Sequence, residues 1–325
     1  MKVRHGFELP KELEPELRRA VRLEWTTLGF MVSIVTVIYL AMGGSQAMKA
    51  AWIEDLLSFI PPVAFLISTR YRDRAPNADF PYGYHRSVSI AFLAGAVALA
   101  LFGGFILIDS VMTLAHREHP SIGTTVVFGR TIWAGWLMVA ALGYSMIPPL
   151  ILGRLKLGPA RALHDKTLKA DADMNKADWL TGGAGIVGIV GVGLGFWWAD
   201  AVAAGVISLD IVKDGFQNVK RVVQDLMDRS PTTVEGERSD IAERAREALL
   251  VLSWVQHAEV RLREEGHVFT GEAFVVPTCF DATDLPTRFD EARDRLHALD
   301  WRMHDIVLTI VEADELIGDE SPETS

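Results

Sequence analysis

Six segments of the chain are long and apolar enough to cross a lipid bilayer, and this pattern excludes most soluble folds. They cover residues 26–44, 46–69, 87–115, 130–153, 170–197 and 199–222. About 20 helical residues cross a hydrocarbon core of roughly 30 Å. Inside lipid, every backbone polar group must be paired within the segment, which favours helices. The sequence therefore predicts a mostly α membrane protein with six transmembrane helices.

The charges divide the chain into two parts of opposite sign. From Ser230 to Ser325 there are 22 acidic residues against 9 arginines and no lysine, a net charge of −13. The whole chain carries −10, so residues 1–229 carry +3. This division predicts four parts, which are a cytosolic N-terminal helix (1–25), a transmembrane domain (26–229), a cytosolic domain (230–313) and a disordered tail (314–325).

The acidic C-terminal part has the pattern of a small α+β domain. Helical periodicity predicts helices at 240–250 and 285–299, the second with Asp284 as its N-cap. Alternating apolar residues predict a hairpin of strands at 258–263 and 271–277, and a closing strand at 303–311. The predicted order of elements is αββαβ.

Basic residues predict the orientation of the membrane segments. The connections after the second and fourth segments carry nine of them, and the three opposite connections carry three. The nine are Arg70, Arg72, Arg74, Arg86, Arg154, Lys156, Arg161, Lys166 and Lys169. By the positive-inside rule, both termini are expected in the cytoplasm, with the chain in the inner (plasma) membrane.

Two acidic residues, Glu54 and Asp178, lie well inside the second and fifth segments. A charged side chain at bilayer depth costs at least about 2.5–3.5 kcal/mol on insertion scales. These segments run in opposite directions, and each residue lies about 13 Å from the end at which its helix begins. The two carboxylates are therefore expected at similar depth, where they form a cation site. An intramembrane ion pair or a polar packing contact is the alternative.

Helical spacing selects the neighbours of this expected site. Ser58 follows Glu54 by four residues and Met174 precedes Asp178 by four, so each pair shares a helix face. Asp55 and Asp173 are rotated by about 100° from those faces and are expected to be auxiliary at most. Oxygen ligands suit hard divalent ions, a thioether favours softer ones, and the absence of His and Cys argues against a tight Zn²⁺ cage. Helix packing for Ser58 and core filling for Met174 remain alternatives.

Four motifs, taken in order and spacing, resemble those of the cation diffusion facilitator family. They are Pro81-Tyr82-Gly83-Tyr84-His85-Arg86, the stretch from Ala170 to Asp178, Trp198-Ala199-Asp200-Ala201, and the stretch from Leu226 to Pro231. The resemblance covers roughly residues 26–310. It implies a homodimeric secondary transporter, not an enzyme. Such a protein exports a divalent cation (Zn, Mn, Fe or Co) in exchange for protons by alternating access.

The resemblance also implies which residues bind the metal. Glu54, Ser58, Met174 and Asp178 match the family's four ligands on helices two and five. Ser58 and Met174 stand where the family usually has a carboxylate and a histidine. The ligand set therefore does not predict selectivity for Zn²⁺. It also lacks the histidine that usually carries the proton, so Glu54 is the expected proton carrier. A binding or scaffold protein that does not transport, and a uniporter without proton coupling, remain alternatives. The expected partners are the bilayer, metal ions and protons, with no nucleic acid and no resident cofactor.

One further motif has a structural interpretation. Residues 183–188 fit the dinucleotide-binding pattern G-x-G-x-x-G. The pattern lacks a preceding strand and lies inside an apolar segment, so it predicts close helix packing instead.

Overall fold

The computed structural model describes residues 9–71, 77–84, 86–117, 122–127, 129–265, 268–279 and 284–313. The helices are α1 (Glu14–Ala41), α2 (Gln46–Leu57), α3 (Ile60–Tyr71), α4 (Arg86–Ala115), α5 (Ala134–Ala162), α6 (Lys166–Gly193), α7 (Ala199–Leu226), α8 (Ile241–Leu250) and α9 (Leu285–Leu299). The strands are β1 (Thr124–Val127), β2 (Arg130–Trp133), β3 (Val255–Glu265), β4 (Val268–Pro277) and β5 (Met303–Ile310). The predicted tail, 314–325, lies outside the described residues.

Four helical segments of the described chain are long and apolar enough to cross a membrane. They are Lys11–Ala41, Gln46–Ile67, Phe92–Ala115 and Ala134–Ala162. The predicted fifth and sixth segments are helical as well, as α6 and α7. In α6 the apolar stretch is Trp179–Gly193, which is shorter than a membrane span. α7 carries several charged residues along its length. The prediction of a helical membrane protein is confirmed, and four of the six predicted spans meet the length and apolarity of a span.

Two predicted boundaries are wrong around the fourth segment. Its first residues, from Arg130, form strand β2, which pairs with β1 in an antiparallel hairpin. The helix α5 then continues to Ala162, well past the predicted end at residue 153. Lys156, which the sequence placed in a basic loop, therefore lies on a helix and is fully buried. It can be buried because acidic side chains from α1 and α6 meet its ammonium group.

The second predicted span is broken near its middle. α2 ends at Leu57 and α3 begins at Ile60, directly before Pro61 and Pro62. Proline has no backbone N–H, so the carbonyls of Leu57 and Ser58, four residues earlier, have no i+4 donor. The two prolines therefore account for the break, which starts at Ser58.

The membrane helices belong to one compact unit, which spans Glu12–Tyr71 and Ser87–Val223. One apolar core joins α1, α2, α5 and α6, and its fully buried members include Ile38, Met48, Leu142 and Ile189. A second core joins α2, α4 and α7. A Cβ atom added to Gly188 would lie 2.5 Å from that of Ala203 on α7. This close approach confirms the packing interpretation of the glycine motif.

The second unit contains the C-terminal α+β domain. β3 pairs antiparallel with β4, and β4 pairs parallel with β5, so the strand order is β3-β4-β5. Helices α8 and α9 bury their apolar faces against this sheet around Leu249, Phe269, Val275 and Leu296. The described elements follow the predicted αββαβ order. Asp284 is the N-cap of α9 by position, but its side chain pairs with Arg288 instead of capping the helix.

Candidate functional site

Glu54 lies in the last turn of α2 and joins this helix to α6. Its Oε1 accepts a hydrogen bond of 3.1 Å from the Thr181 hydroxyl. Both residues belong to the helical unit, and Thr181 is buried. The contact joins α2 to α6, the two helices that carry the predicted ligands Glu54 and Asp178.

Ser58 terminates α2 and directs its polar groups at the same residue. Its backbone N–H and its hydroxyl both donate to the Glu54 carbonyl oxygen, at 2.9 and 3.0 Å. The side chain is buried, at 5% exposure. Because the hydroxyl is used as a donor, the lone pairs of its oxygen stay available to a cation. The predicted neighbours Glu54 and Ser58 are thus held together.

Asp178 lies on α6, three residues before Thr181. At about 1.5 Å per residue its Cα is less than one turn from the residue that binds Glu54. The side chains of Asp173 and Asp178 lie outside the part of the molecule that the structure describes. Asp55 is half-buried beside Glu54.

Met174 has mainly apolar surroundings. It lines a narrow crevice with residues of α2, α3, α4 and α7, which are Leu57, Ile60, Pro61, Phe92, Gly95, Ala96, Leu99 and Asn218. Asn218 is the one polar side chain among them. This environment favours the core-filling alternative over a metal–thioether bond.

Asp200, at the start of α7, fixes the N-terminus of α2. Its carboxylate accepts bonds from the Ser45 hydroxyl (2.6 Å) and from the backbone N–H groups of Gln46 (2.6 Å) and Ala47 (3.3 Å). Asp200 is fully buried. A carboxylate at this position also meets the positive end of the helix dipole. Asp200 therefore sets the position of the helix that carries Glu54.

Sequence reasoning assigned no role to Thr181 or to Asp200. Thr181 follows Met174 by seven residues, so the helical repeat places it near the predicted ligand face. Asp200 occurred in the motif at the start of segment six, and an aspartate at a helix start is a capping signal, although here it caps a different helix. Spacing along one segment cannot show such a contact between segments.

A cavity of about 480 Å³ lies between α6 and α7. Thr181 lines it from α6, and Ile207, Asp210 and Lys213 line it from α7. Thr181, which donates to Glu54, therefore also lines this cavity. Among the described residues, no group of three or more His, Cys, Asp or Glu side chains converges as a metal site.

Comparison with known proteins identifies the family. Residues 25–227 match the model of the cation efflux transmembrane domain. The manganese efflux system protein MneS of Bacillus subtilis is 28% identical over 200 residues, which cover 61% of this chain and 64% of that protein, just under two thirds of its length. The cation-efflux pump FieF of Yersinia pestis is 24% identical over 263 residues, covering 78% of this chain and 80% of that one. The family model covers more than half of the chain, and the chain therefore belongs to the cation efflux family.

Proposed function

We propose that this protein exports a divalent cation across the inner membrane in exchange for protons, with the cation bound between α2 and α6. The observation that supports this most directly is the hydrogen bond between Glu54 and Thr181. It joins the helices that carry Glu54 and Asp178, and Thr181 lies within one helical turn of Asp178.

The donor set of this proposed site consists of oxygen atoms. Glu54 and Asp178 supply the negative charge, and the Ser58 hydroxyl supplies a neutral oxygen. The carbonyls of Leu57 and Ser58, which lose their helical donors to the two prolines, can supply further oxygens, as broken membrane helices do in other transporters. Met174 lies in an apolar crevice and adds no donor. An all-oxygen set favours a hard ion, and we therefore propose Mn²⁺ ahead of Zn²⁺, Fe²⁺ or Co²⁺.

The proposed exchange uses competition for the same carboxylates. Metal and protons cannot both be held strongly by Glu54 and Asp178, so arrival of one favours release of the other. The break between α2 and α3 is a natural hinge for alternating access, because little helical hydrogen bonding is lost when the two halves move there. Both termini are proposed to be cytoplasmic, with the transport domain at 26–229.

The C-terminal domain, residues 230–313, is proposed to join two copies of the chain into a homodimer. This proposal rests on the resemblance of the αββαβ domain to that of the family. The oligomeric state in detergent, measured by light scattering on the full chain, tests it.

Transport is tested with the full-length protein in liposomes that contain a Mn²⁺-sensitive dye. We expect Mn²⁺ flux that increases when protons can move in the opposite direction. Glu54→Gln and Asp178→Asn should abolish the flux. Glu14→Gln on α1, an exposed carboxylate, is the matched control and should transport normally.

The alternatives predict different results in the same assay. Binding of Mn²⁺ without flux, in protein that is correctly folded, would indicate a protein that binds metal but does not transport it. Flux that ignores the pH gradient would indicate a uniporter. Normal flux in Glu54→Gln would contradict the proposed site.

A further inference from the structure

Three buried ionisable side chains from three different helices meet at one point, apart from the proposed cation site. Glu24 comes from α1, Lys156 from α5 and Asp171 from α6, and we call them the buried triad. The exposure of Glu24 and Lys156 is 0% and that of Asp171 is 2%. The Lys156 ammonium lies 2.9 Å from Glu24 Oε2 and also pairs with Asp171 Oδ2.

The two carboxylates of the triad are not equally supported. Asp171 Oδ2 accepts from Lys156 and, at 3.1 Å, from the side-chain amide of Asn175. Glu24 Oε2 has Lys156 as its partner. The other oxygen, Glu24 Oε1, is shielded from solvent and has no hydrogen-bond partner among the residues that the structure describes. Glu24 is thus the acid whose negative charge is least compensated.

The net charge of the triad also indicates that Glu24 is the group that binds a proton. With all three groups ionised, two negative charges face one positive charge and the enclosed cluster carries −1. A buried charge without a partner costs several kcal/mol. One added proton makes the cluster neutral. The enclosed Glu24 Oε1 has no room for a larger ligand unless side chains move.

Other elements that pack against α1 do not alter this balance. α3 contributes Arg70 near its C-terminal end, and that side chain is exposed. α2 meets α1 much further along, where Trp52 Nε1 donates to the Val35 carbonyl. Among the described residues, the charged groups that face Glu24 are therefore Lys156 from α5 and Asp171 from α6.

The triad is linked to the proposed cation site through α6. Asp171 and Asp178 are seven residues apart, which places them on the same side of the helix about 10 Å apart along its axis. Asn175 lies between them and is buried. A change in the charge of the triad therefore acts on the helix that carries Asp178 and Thr181.

We propose that the buried triad is a proton-binding site in which Glu24 takes up and releases a further proton during exchange, in addition to those that compete with the metal ion at Glu54 and Asp178. This inference rests on the proposed function and adds a proton site distinct from the metal site. On uptake, one O–H bond forms at the Glu24 carboxylate and the cluster changes from −1 to neutral. On release, the proton leaves to water on the other side of the membrane and the carboxylate is restored. Lys156 keeps its own protons throughout and serves as the fixed counter-charge.

The first test detects the proton directly in the reconstituted full-length protein. A buried protonated carboxylic acid gives an infrared carbonyl band at neutral pH, where exposed carboxyl groups are ionised. We expect one component of this band in the wild type to come from the triad and to be lost in Glu24→Gln. Glu14→Gln, an exposed glutamate on the same helix, is the matched control and should keep the band. A band that persists unchanged in Glu24→Gln would overturn the proposal.

The second test asks whether this proton is exchanged during transport. In liposomes, Glu24→Gln should still bind Mn²⁺ and still move it down a metal gradient, but the flux should respond less steeply to a pH gradient than in the wild type. If the infrared band is lost and the response to pH equals that of the wild type, the triad has only a structural role. If the wild type moves no Mn²⁺, the proposed function fails, whereas the infrared band still decides whether Glu24 binds a proton.

A second variant covers the case in which Glu24→Gln does not fold. Lys156→Met removes the counter-charge, so both carboxylates must bind a proton to remain buried. The component of the infrared band that comes from the triad should then double in intensity relative to the wild type. An unchanged band in Lys156→Met would equally overturn the proposal.

Discussion

Replacement of Asp200 by alanine tests how the helix that carries Glu54 is held. The change removes the acceptor of three hydrogen bonds, from Ser45, Gln46 and Ala47. It leaves two backbone N–H groups at the start of α2 without their partner. It also removes the negative charge that meets the N-terminal end of the helix dipole.

The size of the effect follows from competing contributions. Hydrogen bonds to a charged group contribute about 1.5–3 kcal/mol each, and the two bonds of 2.6 Å dominate here. The dipole interaction adds roughly 1 kcal/mol in a buried position. Against this, the variant no longer has to bury a carboxylate, which costs several kcal/mol. The net destabilisation expected for Asp200→Ala is therefore about 3 kcal/mol, within the range for breaking a buried charged network.

Thermal unfolding of the full chain in detergent, followed by tryptophan fluorescence, measures this effect. Trp52 on α2 is a local reporter, because its Nε1 is bonded to the Val35 carbonyl on α1. About 2–4 °C is lost per kcal/mol in a domain of this size, so the Tm should fall by roughly 6–12 °C. Asp200→Asn keeps one acceptor oxygen and should lose about half as much. Asp210→Ala, on the same helix but partly exposed, should stay within about 0.5 kcal/mol of the wild type. A Tm for Asp200→Ala equal to that of Asp210→Ala would refute the anchoring role.

Three further predictions concern other parts of the chain. Asp165→Ala removes the N-cap of α6, whose side chain accepts from the Leu168 N–H at 2.9 Å, and should cost about 1 kcal/mol in the same thermal assay. Gly271→Ala places a Cβ 1.9 Å from a carbonyl oxygen of β3, so the strands must separate locally and the loss, followed by circular dichroism, should be roughly 1–3 kcal/mol. Hydrogen bonds from Arg246 lower the pKa of Glu243. The pair therefore stabilises the folded state above the ordinary glutamate pKa, and this stabilisation is lost as the pH falls through the lowered value. In Arg246→Ala, a ¹³C NMR titration should show that the Glu243 carboxyl has returned towards its ordinary pKa.

Periodicity was sufficient to predict most of the helices and the small C-terminal domain. An apolar run of about 20 residues is stable in few structures other than a membrane helix. A run of six alternating residues likewise favours a strand, because each segment must bury its apolar face. The break at Ser58 was foreseeable for a similar reason, since Pro61 and Pro62 remove two helical donors. These features are local, and the local sequence contains the information that specifies them.

Contacts between segments could not be predicted in this way. Lys156 was placed in a loop because a basic residue at the end of an apolar run usually meets water or lipid headgroups. Its partner Glu24 is 132 residues away in the sequence, and neither residue indicates the other. Thr181 was missed for the same reason, because its role depends on the Glu54 side chain of another helix. Tertiary contacts of this kind decide whether a charge in an apolar segment is tolerated.

The position of these contacts on α6 gives this helix two polar attachments. Asp171, near its N-terminal end, is held by Lys156, and Thr181, about 15 Å further along the axis, binds Glu54. Beyond Thr181, Gly188 lets α6 approach α7 so closely that a Cβ at this position would lie 2.5 Å from the Cβ of Ala203. A motion that breaks one polar attachment therefore shifts the helix at the other. If a proton is exchanged at the triad and a cation at Glu54, the shared rigid helix is a sufficient physical link between the two events.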